Sequence, residues 1–133
     1  MTIKRIDHIA VVVENLERAL AVYRDALGMP VTAIQEMPEQ DVKMAFLPTG
    51  DSEIELLEPI HPESGIAKYL AKRGEGLHHV CLEVDDIEAT LAELKARGAQ
   101  LIDEIPREGA NGKIAFIHPK GAHGVLIELV ERA

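Results

Sequence analysis

The chain has 133 residues, 47% hydrophobic and 28% charged, with 23 acidic against 14 basic side chains and a formal net charge of −9. That size and balance describe one folded domain, or two small fused modules, with a real core rather than a disordered or fibrous chain. The acidity repels phosphate backbones, and with aromatics at 3% and no Trp base-stacking platforms are scarce, so nucleic acid is excluded as a partner.

The first residues, Met1-Thr2-Ile3-Lys4-Arg5-Ile6-Asp7-His8, lack the apolar core of a signal peptide. No run approaches the ~18 apolar residues of a membrane span, so no membrane association is expected. Cys81 is the single cysteine, which leaves no disulfide framework or thiolate zinc cluster and suits a reducing compartment. The expected location is the cytoplasm.

Residues 6–13 are β-branched and apolar and predict a strand. Asn15 then caps a helix whose apolar stripe is Leu16, Ala19, Leu20, Tyr23 and Leu27, with Gly28 as the stop. Short strands are expected at 31–35, 43–47 and 53–57. Ser64 caps a short helix over Ile66, Ala67, Tyr69 and Leu70 that ends before Gly74. A strand at 79–84 follows, then a helix capped by Asp86 with Ile87, Leu91 and Leu94 as its stripe and Gly98 as its end. Strands at 100–104, 113–117 and 125–130 complete the chain.

This order is a repeat, the feature that most constrains architecture. Ile6-Asp7-His8-Ile9-Ala10 lies over Leu77-His78-His79-Val80-Cys81, with His79 71 residues beyond His8. Lys43-Met44-Ala45-Phe46-Leu47 lies over Lys113-Ile114-Ala115-Phe116-Ile117, and Ile54-Glu55-Leu56 over Ile127-Glu128-Leu129. The expected organisation is a first module at 1–60, a connecting helix and Gly-rich linker at 61–76, and a second module at 77–133.

Four polar side chains stand in strands that are otherwise apolar. Alternation puts His8 on the face of Ile6, Ala10 and Val12, and His79 on the face of Leu77, Cys81 and Glu83. Glu55 and Glu128 each stand between two aliphatic residues. One strand histidine is more often an ordinary core residue, and one strand glutamate more often solvated. Four at duplicated positions favour convergence on a cation, because a buried carboxylate without a partner is costly. Two imidazoles with one or two carboxylates suit Co²⁺, Mn²⁺, Fe²⁺, Ni²⁺ or Zn²⁺. His78 faces away from His79, so packing against a helix or a hydrogen bond is its expected role. His118 and His123 fall among turn residues, and Lys120 is a candidate for a phosphate or carboxylate of the substrate. No Gly-rich nucleotide loop is present.

The duplicated module, with His on its first strand and Glu on its last, resembles the vicinal oxygen chelate superfamily. Along almost its whole length the chain is similar to the methylmalonyl-CoA epimerases. The likeness is carried by Ile6-Asp7-His8-Ile9-Ala10, Pro38-Glu39-Gln40-Asp41-Val42, Ile54-Glu55-Leu56-Leu57-Glu58-Pro59, Gly74-Glu75-Gly76-Leu77-His78-His79, and Phe116-Ile117-His118-Pro119-Lys120 with Gly124-Val125-Leu126-Ile127-Glu128-Leu129. The resemblance implies an α+β fold: two tandem βαβββ modules forming a curved mixed sheet around a metal-containing cleft, usually as a homodimer. It implies interconversion of (2R)- and (2S)-methylmalonyl-CoA with one divalent ion per chain, Co²⁺ first, with Mn²⁺, Ni²⁺, Zn²⁺ or Mg²⁺ as alternatives. His8, His79 and Glu128 match the family's metal ligands, and Glu55 matches a position that in some members is a metal-touching Gln.

Two departures stand out. Some members carry a second catalytic carboxylate where this chain has Met44, and Asp41 replaces a usual glycine. Charge accounting therefore assigns the missing base to Glu55, with Glu128 as its catalytic counterpart. Competing readings are a glyoxalase I-type lyase acting on glutathione hemithioacetals, an extradiol dioxygenase, and a metal-free ligand-binding or resistance protein.

Overall fold

The computed structural model describes all residues, 1–133. Its elements are β1 (Ile3–Val12), α1 (Leu16–Leu20), β2 (Ala33–Met37), β3 (Val42–Thr49), β4 (Ser52–Pro59), α2 (Gly65–Arg73), β5 (Gly76–Val84), α3 (Ile87–Ala96), β6 (Arg107–Gly109), β7 (Gly112–Ile117) and β8 (Ile127–Arg132). The order is βαβββ twice, with α2 between, as the repeat predicts. No helix is long and apolar enough to cross a membrane.

The chain divides into two compact units, residues 9–78 and residues 1–8 with 79–133. In the first, the strand order is β2-β3-β4-β1. Strand β4 runs parallel to β1, with Ala10 opposite Glu55, and antiparallel to β3, with Phe46 opposite Glu55. Val13, Leu16, Leu20, Ala45, Leu47 and Leu56 form one buried cluster. Ala10, Val42, Met44 and Leu57 form another, against which Ile66 of α2 packs.

In the other unit the order is β1-β5-β8-β7-β6. Strand β8 runs parallel to β5 and antiparallel to β7, the same arrangement as β4 with β1 and β3. Its core is Val84, Ile87, Leu91, Ala115 and Leu129.

All three expected helix caps form, Ser64 Oγ accepting from the Ala67 amide. Asn15 Oδ1 accepts from the Arg18 amide, and Asp86 Oδ1 accepts from the Ala89 amide. A second device repeats as well: the Leu16 amide donates to Glu58 at 2.7 Å and the Ile87 amide to Glu131 at 2.9 Å. A glutamate from the last strand of each module thus satisfies an N–H that the first helical turn leaves unpaired.

Two predicted elements differ. The helix expected over 16–27 is α-helical only through Leu20 and continues as a π-helix, Ala21–Ala26. The wider turn, with the Leu27 amide donating to the Val22 carbonyl, re-phases the stripe: Tyr23 still packs on the core, while Leu27 is 66% exposed. The strand expected at 100–104 is reduced to one bridge, Leu101 to Ile117. There the amides of Ile102 and Asp103 both donate to the Phe116 carbonyl, two residues against one as in a bulge. The Asp103 carboxylate then accepts the Phe116 amide at 2.9 Å, a side chain replacing the next ladder bond.

Candidate metal centre

His8 lies on β1, His79 on β5 and Glu128 on β8, which are neighbouring strands of one compact unit. Register explains their meeting. Glu128 is paired with Cys81, which shares the face of His79 two residues away, and strands about 4.8 Å apart bring such side chains into contact. All three are buried, at 6%, 9% and 8% exposure.

Their donor atoms form a nearly equilateral triangle. His8 Nε2 lies 3.2 Å from His79 Nε2 and 3.2 Å from Glu128 Oε1, and His79 Nε2 lies 3.0 Å from the same oxygen. The rings meet edge to face, and Phe116 packs edge-on to His79. Ligand bonds of about 2.0–2.2 Å put neighbouring N and O donors about 3 Å apart around one ion. The residues therefore fit a divalent first-row metal, and three protein ligands leave positions open for a substrate oxygen. Burial pushes the Glu128 carboxyl up, but the contacts with His79 and His8 outweigh it and hold the group at about 2. It is ionised, as a ligand must be.

Behind His8 stands a network absent from the sequence reading. His8 Nδ1 is 2.8 Å from Asp7 Oδ2. Arg132 Nε donates to Asp7 Oδ1 at 2.6 Å and its Nη2 to Oδ2 at 3.2 Å, while Arg5 Nη2 reaches Oδ1 at 3.3 Å. Arg5 also donates to Glu83 at 2.6 Å. Asp7 is 1% exposed. Burial pushes its carboxyl up, yet bonds to His8 and Arg132 dominate and lower it to about 2. Asp7, His8 and Cys81 also lie close enough to form a second ligand-type triad. Two guanidiniums already neutralise Asp7, and burial pushes the Cys81 thiol up to about 12, so this is a hydrogen-bonding cluster rather than a cation site.

Glu55 lies in the unit of residues 9–78, on β4, at 4% exposure. Met44 is buried in the apolar cluster with Ala10, Val42 and Leu57. Asp41 adopts a left-handed conformation, φ 60°, and its carboxylate meets His61 Nδ1, which accounts for a glycine being suited to that place. His78 packs edge-on to Tyr69 of α2, as its outward face predicts. Lys120 is exposed in a single 3₁₀ turn, Pro119–Ala122, capped by His118, whose Nδ1 accepts the Lys120 amide. His123 closes that turn in a left-handed conformation, φ 57°.

Residues 7–116 match the model of the Glyoxalase/Bleomycin resistance protein/Dioxygenase superfamily. The "Ethylmalonyl-CoA/methylmalonyl-CoA epimerase" of Cereibacter sphaeroides is 42% identical over 130 residues, covering 96% of this chain and 97% of that protein. The "Methylmalonyl-CoA epimerase, mitochondrial" of Mus musculus is 41% identical over 127 residues, 94% of this chain and 71% of the relative. A solved methylmalonyl-CoA epimerase in complex with methylmalonyl-CoA and NH4+ superposes with a TM-score of 0.90 at 38% identity, covering 99% and 96% of the two chains. A "Lactoylglutathione lyase" of Haemophilus influenzae is more distant, 32% identical over 125 residues, 93% of this chain and 90% of that protein.

Proposed function

We propose, for a chain that belongs to the Glyoxalase/Bleomycin resistance protein/Dioxygenase superfamily and within it to the methylmalonyl-CoA epimerases, the metal-dependent interconversion of (2R)- and (2S)-methylmalonyl-CoA. The observation that carries the metal-dependent part is the triangle of His8, His79 and Glu128 donors at 3.0–3.2 Å.

The reacting carbon stands between a thioester and a carboxylate, and its proton must leave one face and return to the other. A divalent ion held by His8, His79 and Glu128 would supply Lewis-acid stabilisation of the negative charge that develops on the thioester oxygen. His8 and His79 would hold the ion and move no proton. Glu55 and Glu128 are assigned the acid and base roles, exchanging with the direction of reaction. A carboxylate held at about 2 is a weak base, so Glu55 is assigned the stronger one. It stands buried on β4, at 4% exposure, at the position that the repeat relates to Glu128. Lys120, exposed in its turn, is assigned to an anionic group of the substrate, a phosphate or carboxylate.

The proposal includes a cytoplasmic homodimer with Co²⁺ as the first metal to test, and two duplicated modules at 1–60 and 77–133 joined through 61–76. The test is incubation of metal-loaded protein with one methylmalonyl-CoA epimer in deuterated water. Formation of the other epimer with deuterium at the α-carbon is expected. Turnover of methylglyoxal with glutathione, without either change, would replace this reading by the lyase.

A further inference from the structure

We propose that Asp7, clamped by Arg132 and Arg5, is a positioning residue that fixes His8 in the Nδ1–H tautomer and so presents the Nε2 lone pair to the metal centre. This rests on the metal reading above and names the part of the chain that shapes the ligand.

An imidazole that ligates through Nε2 must carry its remaining proton on Nδ1, and a carboxylate accepting from that N–H selects this tautomer and the ring's orientation. The Asp7 Oδ2 to His8 Nδ1 distance of 2.8 Å is of this kind. The aspartate is itself fixed. Arg132 grips both its oxygens with a planar fork, Arg5 takes one oxygen again, and Arg5 is anchored on Glu83. A bidentate guanidinium leaves a carboxylate little rotational freedom.

The origin of the clamp matters as much as its geometry. Arg132 is on β8, four residues beyond Glu128, while Asp7 and His8 are on β1. The clamp therefore ties the strand that supplies one ligand to the strand that supplies another, so their spacing is set without any metal. Beside His79 the repeat puts His78 where Asp7 stands, and His78 packs on Tyr69.

Asp7→Asn keeps the shape and removes the charge that Arg132 and His8 share. Zinc affinity, measured by competition with a chelator, is expected to fall roughly 10–100-fold. Arg132→Lys keeps the charge but loses the fork, and a smaller loss is expected. The tautomer is read separately, by ¹⁵N-edited NMR of imidazole-labelled, metal-free protein at a pH where His8 is neutral. His8 is expected to carry its proton on Nδ1, and Asp7→Asn to move population to Nε2. Zinc affinity of Asp7→Asn within twofold of the parent, or a parent His8 protonated on Nε2, would overturn the proposal. If Asp7→Asn fails to fold, the tautomer of the parent protein decides alone. Because that reading needs neither metal nor substrate, a protein that bound no ion would sink the proposed function and leave this arm intact.

Discussion

In the first half of the chain the Leu16 amide is met by Glu58, and in the second the Ile87 amide is met by Glu131. Asn15 and Asp86 cap the same two helices in the same way. At the positions that carry chemistry the halves part. Asp7 braces His8, while its counterpart His78 packs on Tyr69. Glu128 meets two imidazoles, while its counterpart Glu55 stands on β4 opposite Ala10 and Phe46. Helix α3 runs unbroken, whereas α1 passes into a π-helix after Leu20. The duplication holds constant the contacts that build a module. It relaxes those at the positions proposed to carry chemistry, so a repeated scaffold yields carboxylates and histidines in unlike surroundings.

The largest effects should come from removing the donors that the two halves contribute. His8→Ala and His79→Ala should each lose metal and epimerase activity together, activity by at least on the order of 10³-fold. Metal analysis of the purified variants checks this, and full occupancy in either would refute its ligand role. The glutamates should separate next. Glu55→Gln should keep the metal while slowing exchange of the substrate α-proton with deuterated solvent by roughly 10²–10⁴-fold. Glu128→Gln should lower both, and unchanged exchange in Glu55→Gln would remove it from the mechanism.

Acid should reveal the two depressed carboxyls. Asp7 and Glu128 are both held at about 2 in the folded protein, below the ~4 of an ordinary carboxyl, so the folded chain binds fewer protons than the unfolded one between those values. Their stabilisation is complete above that window and is lost as pH falls through it. Denaturant melts of metal-free Asp7→Asn between about pH 5 and 2.5 should show a shallower dependence than the parent. The smallest effect tests what the halves share: Glu58→Ala and Glu131→Ala should each cost about 1 kcal/mol in urea melts. A large difference between them would show that the common frame is not common in energy.

Much of this was legible from residue pattern alone. The offset between His8 and His79 and that between Glu55 and Glu128 gave the duplicated βαβββ order, and alternation in strands otherwise apolar singled out four residues, of which His8, His79 and Glu128 meet. The same alternation hid Asp7. Adjacent strand residues point to opposite faces, so nothing in Asp7-His8 announces that the carboxylate reaches the neighbouring imidazole, and Arg132 is distant in sequence. The π-helix was hidden because Leu27 keeps helical spacing from Tyr23, and spacing does not distinguish one widened turn. The missing strand near residue 102 reflects an Asp103 side chain taking a backbone partner, a choice that hydrophobic pattern does not encode.

The direct test of the central claim is an anomalous difference map from crystals of cobalt-loaded protein. One peak per chain is expected, bonded to His8 Nε2, His79 Nε2 and Glu128 Oε1. Cobalt bound elsewhere, with these three atoms still in contact only with one another, would contradict it.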